Sequence, residues 1–64
     1  MIELTLDKGT TAYLSCFDIT AIEAETDHSC TVWIRLGRQY SVPRPASEIA
    51  ALWHERLQVA RGWR

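Results

Sequence analysis

Cys16, His28, Cys30 and His54 are the four side chains with soft-metal chemistry, and they are the first candidates for a reactive centre. Structural zinc is held by paired ligands on tight turns, typically Cys-x2–4-Cys with His-x3–5-His. The only close pair here is His28-x-Cys30; Cys16 falls in a strand pattern, and His54 falls in a helix pattern beside Trp53. Two buried thiols, an exposed turn histidine and a helix-surface histidine account for all four, so no metal and no other cofactor is expected. A cysteine nucleophile needs a partly exposed, electropositive setting with a base within reach. Cys16 is in phase with Leu14 and Cys30 with Val32, which points both thiols inward. Ser15, Ser29, Ser41 and Ser47 lack a nucleophile-elbow motif, and Gly9, Gly37 and Gly62 form no phosphate-cradling loop. Glu23 and Glu25 share one strand face, where an outward acidic pair is simply solvated. The chain is read as non-enzymatic.

A different chemistry gathers around Thr31–Val42. Trp33, Arg35, Arg38 and Tyr40 surround one hairpin pattern and Arg44 follows it. Aromatic faces stack bases while arginines meet phosphates, the mixture of single-strand nucleic-acid surfaces. Tyr, Trp and Arg are equally the residues enriched at protein-binding hot spots. Tyr13, Phe17 and Trp33 fall opposite the main apolar set, which leaves large aromatics outside a monomer. Arg56, Arg61, Trp63 and Arg64 add a basic-aromatic end to the chain. The expected role is a protein-interaction module, with an RNA- or single-strand-binding regulator as the alternative. Trp33, Arg35, Arg38, Tyr40 and Arg44 are the expected contact residues.

Alternation predicts the elements that carry them. Ile2, Leu4 and Leu6 alternate with Glu3 and Thr5, and Asp7-Lys8-Gly9 reads as a hairpin turn. Further strands are predicted over Thr11–Cys16, Ile19–Glu25, Cys30–Leu36 and Gln39–Val42, with Ile22 and Ala24 inward. Gly37 supplies the positive φ of the second tight turn. Pro43 and Pro45 end the sheet, since proline cannot donate to a ladder. Proline is tolerated in a first helical turn, and Ser47 is a further candidate cap. Ile49, Leu52, Trp53, Leu57 and Ala60 recur at helical spacing over about residues 46–61, and Gly62 closes the helix. The prediction is one α+β domain spanning residues 1–64: a mainly antiparallel sheet of four or five strands over residues 2–42, with one C-terminal helix. Its expected core is Ile2, Leu4, Leu14, Ile22, Val32, Ile34, Leu36, Val42, Ile49, Leu52 and Leu57.

At 64 residues, such a domain buries only roughly 60% of the surface its unfolded chain exposes. Self-association, as a homodimer or a higher homo-oligomer, is the expected extra source of stability. Net charge is −1, but residues 1–27 sum to −5 and residues 28–64 to +4. A chain polarised in this way can pair acidic and basic surfaces between subunits. No run reaches the roughly 20 apolar residues of a membrane span. The opening Met1-Ile-Glu-Leu-Thr5 reads as no signal peptide. A soluble protein of the reducing cytoplasm is therefore expected, with both cysteines free.

Met1-Ile2, Leu4-Thr5, Gly9, Ile19, Ile22-Glu23 and Asp27 follow one another as in the small flagellar FlbD-like family of bacterial proteins, which the chain resembles. After an apparent two-residue insertion, Gly37-Arg-Gln-Tyr-Ser-Val42 is similar to that family's Gly-Lys-Lys-Tyr-Val-Val, and Ser47-Glu48-Ile49 to its helix entry. The likeness covers roughly residues 1–57 and rests on core and turn positions. Lys8 and Leu36 stand where the family prefers asparagine before each turn glycine, and Trp53-His54 is not typical of it. The resemblance implies a small accessory protein linked to motility, with no catalytic residues to carry over. Small β-plus-helix chains of this kind also occur among prophage-encoded proteins, so a bacterial or prophage origin is expected. A fainter likeness, in size, opening segment and single C-terminal helix, is to the carbon-storage-regulator family of dimeric RNA-binding proteins. The central RNA-contacting motif of that family is not visible here.

Overall fold

The computed structural model describes residues 1–62, so Trp63 and Arg64 of the expected basic-aromatic end lie outside the described residues. The element order is β1 (Ile2–Thr5), β2 (Thr11–Leu14), β3 (Ile19–Thr26), β4 (Ser29–Ile34), a 3-10 turn (Arg35–Gly37), β5 (Gln39–Val42) and α1 (Ala46–Arg61). The strands form two antiparallel sheets, β1-β2 and β3-β4-β5, which with the C-terminal helix make an α+β fold. The Asp7 amide donates to the Ser41 carbonyl at 3.3 Å and ties the first hairpin to β5. No helix among the described residues is long and apolar enough to cross a membrane.

Turn chemistry sets the first hairpin. Gly9 takes φ +83°, its amide donates to the Leu6 carbonyl at 2.9 Å, and the Leu6 amide donates to the Thr10 carbonyl at 2.7 Å. This is the three-residue hairpin loop that ends in a left-handed glycine. It fixes the register Ile2↔Leu14, Glu3↔Tyr13, Leu4↔Ala12 and Thr5↔Thr11. Alternation then sends Ile2, Leu4 and Leu14 to the core and leaves Glu3 and Tyr13 outside.

In the larger sheet Cys30, Val32 and Ile34 of the central strand β4 are buried, with Val42 beside Cys30 on β5. The core is completed by Cys16, Ile19 and Ile49, with Leu6, Ile22, Tyr40, Ala46, Leu52, Trp53 and Leu57 packed half-buried around it. Ile49 is the one fully buried side chain of α1. The Trp53 indole N–H reaches across to donate to the Cys16 carbonyl at 2.8 Å, which pins the helix to the segment after β2. The helix is capped at its start by Pro45, whose carbonyl accepts from Glu48 and Ile49, rather than by Ser47.

Three expectations require correction. Leu36, expected in the core, is 95% exposed, because β4 ends at Ile34 and the chain turns before it. Ala24 is exposed rather than inward: β3 is irregular between Ala24 and Thr26, beside the turn that closes its hairpin with β4. Ile19, absent from the expected core, is buried.

Candidate functional site

The soft-ligand candidates are dispersed. Cys16 and Cys30 are free and buried. His28 is exposed on the β3–β4 turn, and His54 is exposed on α1 beside Gln58. Among the described residues no group of three or more His, Cys, Asp or Glu side chains could hold a metal ion.

Burial pushes the Cys30 thiol above its ordinary pKa, and the Glu25 carboxylate adds to the rise. A thiol raised in the folded state favours folding while it is protonated. That contribution is complete below the unfolded pKa of about 8.5 and is lost as pH climbs through the folded value. The urea midpoint is therefore expected to hold through neutral pH and to fall above pH about 9. The alkaline fall should be smaller in Cys30→Ala, and an equal fall in both proteins would assign it to other groups.

The five expected contact residues are split by the pleat. Trp33 pairs with Ala21 and Gln39, which places it on the outer face of the sheet, whereas Tyr40 pairs with Val32 and so lies on the core side, half-buried. The outer face is polar. Trp33 donates its indole N–H to Glu23 Oε1 at 2.7 Å. Glu25 accepts from the buried Thr31 hydroxyl and, at 3.4 Å, from Ser41. Glu23 and Glu25, expected to be merely solvated, are thus acceptors for their neighbours. Arg44 lies beyond the other end of β5 and pairs with Glu48 at 3.0 Å, one helical turn on.

Arg35 and Arg38 do come together, at the turn between β4 and β5, with Leu36 between them. The Arg35 amide donates to the Asp18 carbonyl at 2.9 Å and its Nε lies 3.6 Å from Asp18 Oδ1. The Ile34 amide donates to the Arg38 carbonyl at 2.9 Å and closes the loop. Leu36 and Gly37 take φ +70° and +79° in succession. Positive φ at two central positions is what a type I′ turn demands, and Asn-Gly is the pair that meets it without strain. For leucine the left-handed conformation costs roughly 1–2 kcal/mol. A groove of about 240 Å³ lined by Asp18, Ile34, Arg35, Leu36 and Arg38 opens beside it. Arg38 has no acidic partner among the described residues.

Sequence reasoning missed Leu36 as a surface residue because it extended the alternation of β4 by one period. A signal was present: leucine stands where the resembled family prefers asparagine, a residue that tolerates left-handed backbone. The fold and this turn define a small α+β domain that displays an apolar side chain between two arginines. The chain matches no known family, no curated protein and no solved structure.

Proposed function

We propose that this chain is a non-catalytic interaction module that self-associates and presents the Arg35–Arg38 turn to a protein partner. The observation that carries this reading is Leu36, a fully displayed leucine held at positive φ where asparagine or glycine would fold at lower cost. A partner suited to it offers an apolar pocket rimmed by carboxylates, which the unpaired Arg38 complements. The free, buried thiols suit the reducing cytoplasm of a bacterial or prophage-bearing cell. Likeness to the flagellar FlbD-like family supports an accessory role in motility, and the matched turn glycines Gly9 and Gly37 both take positive φ.

The nucleic-acid alternative draws less support. Base stacking needs exposed aromatics beside the arginines. Trp33 is instead half-buried and bonded to Glu23 with Glu25 on the same strand, while Tyr40 faces the core.

Two measurements test the reading together. A diazirine-bearing leucine analogue at position 36, irradiated in the native cell, is expected to cross-link to one discrete protein. Anisotropy of labelled single-stranded RNA is expected to stay flat on titration at low salt. A salt-sensitive rise that disappears in Arg38→Glu would overturn the proposal in favour of nucleic acid, and an absence of protein cross-links at position 36 would remove its basis.

A further inference from the structure

The two sheets have four edge strands. β1 and β5 face each other across the Asp7–Ser41 bond and a shared groove, which leaves β2 and β3 as the far edges. These two are built differently. β3 carries Glu23 and Glu25, and its pairing with β4 is irregular at two points. Acidic side chains and bulges are devices that keep an edge strand from recruiting another chain. β2, Thr11–Leu14, has no charged residue, no proline and an unbroken register with β1. The helix packs chiefly over β1, β3 and β4.

The register identifies which backbone groups of β2 are free. The Leu6–Thr10 bond makes that pair a hydrogen-bonded one, and such pairs alternate along an antiparallel ladder. Leu4↔Ala12 and Ile2↔Leu14 are then the bonded pairs, and Thr11 and Tyr13 turn their N–H and C=O groups away from β1. Neither residue uses those groups in a turn or loop bond among the described residues. Donor and acceptor on Thr11, and the same on Tyr13, form a pattern that is complementary to itself after a two-fold rotation about Ala12.

We infer that β2 is the self-association edge, and that its occupant is β2 of a second copy, antiparallel and centred on Ala12. Thr11 pairs with Tyr13 of the second copy, and Tyr13 with its Thr11, so every outward group finds a partner. Ala12 faces its own counterpart across the axis, where a small side chain lets the strands close. Tyr13, 65% exposed in one chain, lies over the threonine opposite, an aromatic on a β-branched residue. The interface is isologous and closes at two copies, so it yields a dimer rather than a fibre. The inference rests on the self-association in the proposed function but is independent of the Arg35–Arg38 turn.

Light scattering of the purified full chain is expected to give twice the chain mass. Tyr13→Pro removes only an outward N–H, a position where an edge strand tolerates proline. Two hydrogen bonds are lost per dimer, so the dissociation constant should rise about 10- to 100-fold with the circular dichroism unchanged. If that variant does not fold, Tyr13→Lys reports on the same edge. The pairing itself is read by disulfide capture, since directly opposed strand residues lie within disulfide reach. Ala12→Cys should oxidise to a covalent dimer, and Thr11→Cys should do so only when mixed with Tyr13→Cys. A folded Tyr13→Pro that dimerises as tightly as wild type moves the interface elsewhere while leaving self-association intact. Self-linking of Thr11→Cys overturns the register, and a wild-type monomer at every concentration overturns both the edge and self-association.

Discussion

Ile49→Ala is expected to leave the protein largely unfolded at 37 °C. Ile49 is the one side chain of α1 that is fully buried, and it meets the core formed by Ile2, Leu4, Val32 and Val42. Leu52, Trp53 and Leu57 pack against that core half-exposed, so no second anchor of equal burial holds the helix. Truncating a buried isoleucine to alanine costs about 2–5 kcal/mol, through lost transfer energy and the cavity left behind. A single core in a domain of this size rarely supplies more than about 3–5 kcal/mol. The two figures are comparable, and the variant sits at or below the threshold of folding. Ile49→Val removes one methylene and is expected to cost only about 0.5–1.5 kcal/mol, a fall in Tm of several degrees. Thermal melts by circular dichroism separate the two outcomes. Should Ile49→Ala melt within a few degrees of wild type, the helix must draw its stability from a surface outside the monomer core.

Alternation and turn residues were enough to place every strand, because each has one face against a common core and the two turn glycines mark where the chain reverses. Ile2, Leu4, Leu14, Val32, Ile34 and Val42 follow from period two alone. The helix follows from Ile49, Leu52, Trp53 and Leu57, with its start set by Pro45. The division of the strands into a pair and a triplet was not readable, since it depends on whether β1 and β5 bond along their length or only at Asp7 and Ser41. The contact surface was readable only in part. Trp33 and Tyr40 look like neighbours in the hairpin, but with Trp33 opposite Gln39 and Tyr40 opposite Val32 they are on opposite faces. That assignment rests on where β4 stops, and a turn beginning one residue earlier or later would reverse it. Glu23 and Glu25 gain their partners from β4 and β5, ten and sixteen residues away along the chain for Trp33 and Ser41. Such pairings belong to the register and are not written in local spacing.

Leu36→Gly is expected to make the protein more stable and to cost it its partner. At φ +70° and 95% exposure, the leucine bears a left-handed backbone penalty and buries almost nothing in return. Relief of that penalty is worth about 1–2 kcal/mol, and the added freedom of glycine in the unfolded chain takes back roughly 0.5–1 kcal/mol. The balance is a gain of about 0.5–1 kcal/mol, or several degrees in Tm for a domain this small. Leu36→Asn should stabilise similarly, because asparagine enters the left-handed region without glycine's entropic cost. Both variants remove the apolar group from between Arg35 and Arg38, so both should lose the discrete protein captured by cross-linking from a neighbouring site on the turn. Stabilisation with loss of the partner is the signature of strain held for function. A fall in Tm on either substitution would mean instead that Leu36 packs against something in the folded protein, and would overturn the role assigned to it. Arg38→Glu separates charge from shape at the same place. It leaves the backbone and the leucine untouched, so stability should stay within about 0.5 kcal/mol of wild type, while a carboxylate-rimmed pocket would reject it by like-charge repulsion. A partner that tolerates Arg38→Glu but not Leu36→Gly would recognise the leucine alone.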